Sequence, residues 1–146
     1  MMDLDTRWIQ RFNNFGRACL VLEKAMHIES PSVIEQAGII QFFEMTFELA
    51  WKLLRDYEEA EGFIVSFPRE AIKYAFQTEL VSDGHAWIEA LGDQTLTLRA
   101  YEASVSLNLV KKIKEKYFPL FQALRETFQE NLKILEREKQ TLGFSK

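Results

Sequence analysis

Glu44, Glu48 and Lys52 recur every fourth residue, so on a helix they line one face beside the apolar stripe Phe43, Phe47 and Trp51. A Glu one turn before a Lys is the favourable order for an ion pair, contributing about 0.2–0.5 kcal/mol. Such a row is either a solvated face or the polar edge of a pocket between helices, where bundles place ligand sites. A second stretch of interest is GDQTLTLRAYE, Gly92 to Glu102, where Gly, two Thr and a polar run interrupt a regular helical pattern. Within it Arg99 holds a permanent positive charge suited to a phosphate, and Asp93 and Tyr101 are candidate partners for a bound substrate.

Other chemistry is sparse. His27 and His85 are the only histidines, far apart, and neither has His, Asp or Glu neighbours at metal-ligand spacing. No metal site is expected. Cys19 stands alone, which excludes an internal disulfide and a thiolate metal site. There is no glycine-rich phosphate loop and no G-x-S-x-G elbow. Arg7 and Arg11 lie one turn apart while Arg17 falls off their face, so the first helix offers little of a phosphate patch.

These residues must be positioned by helices. In 146 residues, 47% are hydrophobic and 27% charged, ordinary values for a globular chain long enough to bury a core as one domain, 1–146. A net charge of −4 argues against nucleic-acid binding by the chain alone. The sequence has no apolar signal-like segment and no run of 18 apolar residues, so a cytoplasmic location without membrane contact is expected.

Apolar spacing of three and four predicts a first helix from a cap at Asp3, Asp5 or Thr6 to about Glu29, ended by Pro31. A second runs from about Val33 to Glu61 and stops at Gly62. Phe63-Ile64-Val65 is an apolar connector without a visible β partner. Pro68 opens a third helix through Phe76. Ser82-Asp83 caps a short fourth, Gly84 to Leu91. Helix resumes near Tyr101, runs to about Tyr117, and Pro119 starts the last helix. The expected fold is all-α, an antiparallel up-and-down four-helix bundle with a short additional helix.

The run FFEMTFELAWKLLRDYEEAEG, Phe42 to Gly62, resembles the substrate-binding partner subunits of minimal nucleotidyltransferases, a branch of the HEPN superfamily. Phe43-Glu44, Phe47-Glu48, Trp51-Lys52, Tyr57 and Gly62 match the signature of that family. RWIQRFNNFGRACLVLEKA, PREAIKYAF and KIKEKYFPLFQAL agree with it in order and spacing, so the resemblance spans nearly the whole chain.

The resemblance implies a helical bundle that forms a homodimer or higher homo-oligomer and partners a small nucleotidyltransferase. No cofactor is implied for this chain; Mg²⁺ and a nucleotide would belong to the partner, and catalysis with them. Related pairs are toxin–antitoxin systems whose helical subunit cuts RNA with an R-x(4–6)-H motif. Laying the shared tyrosine on Tyr101 puts Gln94 at the Arg of that motif, Thr95 at its Asn and Arg99 at its His. RNA cleavage through the 2′-hydroxyl needs a group that exchanges protons near neutral pH, usually His, and an arginine stays protonated. The resemblance therefore implies a non-catalytic binding subunit with a degenerate nuclease motif. Two alternatives stand beside it: a ribonuclease toxin using Arg99, Tyr101 and Asp93, and a stand-alone helical adaptor for small ligands.

Overall fold

The computed structural model describes residues 3–95 and 102–143. Helix α1 spans Leu4–Met26, and its N-terminus is capped by Asp3, whose Oδ1 accepts from the Thr6 N–H at 3.0 Å. It stops three residues before the expected end: His27 caps it, and Ser30 turns into the left-handed region at φ 48° just ahead of Pro31. Helix α2, Val33–Ala60, opens with a reciprocal capping box. The Glu35 N–H donates to Ser32 Oγ at 3.1 Å and the Ser32 N–H donates to Glu35 Oε1 at 2.9 Å. It closes at Gly62, whose φ of 99° suits glycine alone. There the Gly62 and Phe63 N–H groups donate back to the carbonyls of Glu59 and Glu58, the Schellman arrangement.

Helix α3, Pro68–Gln77, begins with its proline where a missing N–H costs nothing. Helix α4, Gly84–Gln94, is capped by Asp83, whose Oδ1 accepts from the Ala86 N–H at 3.0 Å. It runs three residues beyond the expected Leu91 because Gly92 stays helical, so Asp93 and Gln94 belong to the helix rather than to a loop. Phe63-Ile64-Val65 is irregular, and no strand occurs among the described residues.

Helix α5, Ala103–Lys112, passes without a break through a π-helical turn, Ile113–Tyr117, into α6, Phe118–Gly143. The expected helix start at Pro119 is therefore corrected. A proline inside an α-helix lacks a donor and collides with the carbonyl four residues back. The wider turn, in which the Phe118 N–H reaches the Ile113 carbonyl, sits immediately upstream of that proline.

Aromatic pairs fix the arrangement. Trp8 meets Tyr57 at 5.2 Å, and Trp8 and Phe12 both meet Phe128 while Phe15 meets Phe121, so α1 runs antiparallel to both α2 and α6. Phe43 stacks on Tyr117 at 5.4 Å and Tyr57 meets Phe128, which sets α2 parallel to the α5–α6 run. Trp87 of α4 packs on both Phe47 and Phe121. This is the up-and-down order of an all-α bundle, with α3 and α4 packed together in the third position.

Phe15, Phe43, Phe47, Phe121 and Phe128 have no exposed surface, and each such side chain contributes about 1.5–3 kcal/mol of hydrophobic stabilisation. Cys19 lies in the same core, and desolvation pushes its thiol pKa up to about 12. Buried Asp56 clamps the first two helices: Arg11 Nε donates to it at 2.9 Å and Arg55 donates at 3.1 Å.

Candidate functional site

The polar edge anticipated on α2 meets the end of α4. Gln94 Nε2 donates to Glu48 Oε1 at 3.1 Å, and Lys52 Nζ pairs with Glu48 Oε2 at 3.4 Å. Glu48, Lys52 and Gln94 thus come together on a face where the Glu48 and Lys52 side chains remain partly exposed. Glu44, one turn upstream, is half-buried.

Asp93 faces the other way. It is largely buried and accepts from Lys112 Nζ at 3.0 Å and from the Tyr117 hydroxyl. Lys112 also reaches Glu89 at 3.1 Å, and Lys116 pairs with Glu89 from the following turn. The contact to Lys116, then that to Lys112, holds the Glu89 carboxyl below the usual range. Asp93, then Glu89, raises the Lys112 ammonium. Burial, reinforced by the bond to Asp93, raises the Tyr117 phenol far above its ordinary value.

The cluster is charge-balanced, two carboxylates against two ammonium groups with a buried phenol between them. It ties the last turns of α4 to the π-helical turn. The cavity beside it, lined by Asp93, Val105, Asn108, Leu109 and Lys112, holds about 150 Å³, well below the 300–1,000 Å³ of ordinary small-molecule sites. Its chemistry is positioning: Asp93 already accepts two hydrogen bonds.

Thr95 donates its hydroxyl to the Gly92 carbonyl at 2.6 Å and closes the end of α4. Arg99 and Tyr101 lie outside the described residues. Arg7 pairs with Glu59 at 3.6 Å and Arg11 with Asp56, so neither serves a phosphate patch. His27 and His85 are exposed. Among the described residues no group of three or more His, Cys, Asp or Glu is placed to hold a metal ion. No helix among them is long and apolar enough to cross a membrane.

A family model described as "nucleotidyltransferase substrate binding protein like" matches residues 10–130. The chain belongs to that family. Among solved structures it is similar to a crystal structure of a protein from Thermus thermophilus, 26% identical, with a TM-score of 0.68, covering 81% of this chain and 98% of that one. No curated protein matches it significantly.

For a member of the nucleotidyltransferase substrate-binding family, the α2 signature now has a structural reading. Phe43, Phe47 and Trp51 fill the core, while Glu48 and Lys52 form the polar edge that receives Gln94. Sequence reasoning missed Glu89, Lys112, Lys116 and Tyr117. The spacing of four between Lys112 and Lys116 was a usable signal, but the π-helical turn that aims both at Glu89 has no simple sequence signature.

It also missed Glu58 of α2, which is fully buried with neither carboxylate oxygen hydrogen-bonded. Desolvation alone pushes its pKa up to about 8.

Proposed function

We propose that this chain is the non-catalytic, substrate-binding partner of a minimal nucleotidyltransferase, working as a homodimer or higher homo-oligomer. The observation that carries the reading is the family match over residues 10–130. The nucleotidyltransferase brings its own Mg²⁺ and nucleotide and performs the transfer; this chain supplies a surface on which an acceptor is held.

The polar edge at the α2–α4 junction supports a binding role over a nuclease role. Gln94 occupies the place of the HEPN motif arginine, and its amide is engaged by Glu48. Thr95 is engaged by a backbone carbonyl. Neither group exchanges a proton near neutral pH, so on this reading the degenerate motif serves as a structural hinge-point between α2 and α4.

Co-expression with a minimal nucleotidyltransferase from the same genome tests the proposal. A stoichiometric complex that survives gel filtration is expected, and absence of any complex at micromolar concentration overturns it. The non-catalytic part fails separately if the purified chain degrades RNA and loses that activity on Gln94→Ala or Arg99→Ala.

A further inference from the structure

We propose that the groove between α3 and α4 binds a small phosphorylated aromatic molecule, of the chemical class of a mononucleotide. The groove has a volume of about 470 Å³, within the range of small-molecule sites. Arg69 and Lys73 stand one turn apart on its α3 wall, His85 stands on its α4 wall, and Ile72 and Ile88 form an apolar floor. No carboxylate lines it, although the chain as a whole carries a net charge of −4.

Those two cations stand uncommitted, as do Arg17, Lys24 and several other surface cations, but they do so beside a groove that no carboxylate lines. Arg7, Arg11, Lys52, Arg55, Lys112 and Lys116 all pair with carboxylates. Among the described residues Arg69 and Lys73 have no such partner, and both side chains are exposed. Adjacent unpaired Arg and Lys on one helix wall suit a phosphate: the guanidinium fork binds two oxygens and the ammonium adds a point charge.

Phe76 supplies the second recognition element. Its ring is 51% exposed beside the apolar floor. It lies against the start of α4 so closely that a Cβ on Gly84 would come within 3.0 Å of its ring. Gly84 therefore makes room for the ring, which is pinned on one side and open on the other. A pinned, half-exposed phenyl next to a phosphate-binding pair suits a ligand with a planar aromatic part. Inorganic phosphate leaves the ring and floor unused, and an uncharged aromatic leaves the cations unused.

The proposal names a ligand class for the substrate-binding reading above and rests on it in that sense, yet it is tested on the isolated chain. AMP, adenosine and inorganic phosphate are each titrated into isotope-labelled protein and followed by amide chemical shifts. AMP is expected to give saturable shifts centred on Arg69, Lys73, Phe76, His85 and Ile88, at lower concentration than either fragment.

The double variant Arg69→Ala/Lys73→Ala is expected to weaken AMP binding at least about tenfold, with an unchanged Tm because both side chains are exposed. Phe76→Ala is expected to bring AMP binding down towards that of phosphate. The proposal is overturned if AMP gives no saturable shifts, if the shifts centre elsewhere, or if the double variant keeps full affinity. Adenosine or phosphate binding as well as AMP overturns it equally. The double variant should still co-purify with the nucleotidyltransferase, so failure of the groove and failure of the partnership are read in different experiments.

Discussion

Glu58 is the residue at which the fold works against itself. A carboxylate without hydrogen bonds inside a core is costly, and the group answers by holding its proton, with a pKa raised from an ordinary 4.5 to about 8. The sign of its effect follows. Below about pH 4.5 the group is protonated folded or unfolded and costs the fold nothing through ionisation. Between 4.5 and 8 only the unfolded chain releases the proton, so stability declines as pH rises, by about 1.4 kcal/mol for each unit. Glu58→Gln removes the titration while keeping the shape. Thermal unfolding from pH 5 to 9 should show the wild type losing Tm relative to the variant as pH increases, a gap amounting to a few kcal/mol at the alkaline end. Parallel curves would mean that the carboxyl is solvated or paired in solution.

At the scale of elements, the helices were legible wherever caps and periodicity agreed. The Ser32–Glu35 box, Gly62 and Pro68 mark boundaries with short-range chemistry that a sequence displays directly, and the structure puts the boundaries at those residues. Two places were not legible, for the same reason: long-range packing overrode a local breaker. Gly92 looks like a stop, but α4 continues because Asp93 and Gln94 find partners on α5 and α2. Pro119 looks like a start, but it follows a π-helical turn whose Tyr117 is buried against Phe43 and bonded to Asp93. The candidate site was half legible. Glu48 and Lys52 could be read from spacing alone, whereas the meeting of Glu48 with Gln94, 46 residues away in the chain, depends on tertiary contacts.

The proline offers a direct check. Pro119 is exposed and lies within continuous helix, so Pro119→Ala restores a backbone donor without opening a cavity. Part of the roughly 3 kcal/mol cost of an interior proline should be recovered, less about 0.4–1 kcal/mol for the freer unfolded chain. Chemical denaturation should show a net gain in stability. A loss would mean that the proline is a true helix start, with α6 separate from the helix before it.

At the scale of the molecule, one hydrophobic core joins every helix, and the charged groups are sorted around it. The Arg11–Asp56–Arg55 clamp holds the α1–α2 hairpin, the Glu89–Lys112–Lys116 group holds α4 to the helix that follows, and the α3–α4 wall keeps its cations unpaired. Because Arg69 and Lys73 are exposed and take no part in these ion pairs, altering either should leave folding alone.

The placement of Cys19 has a practical consequence. A lone thiol that is 3% exposed, with burial holding it in the unreactive protonated form, is hidden from alkylating reagents until the bundle opens. Its modification rate then becomes a clock for opening events that spectroscopy averages away. Mass spectrometry after timed iodoacetamide exposure should record slow, all-or-none labelling of the native chain. Denaturant should accelerate it in proportion to the opened population, and a tightly bound partner should slow it further.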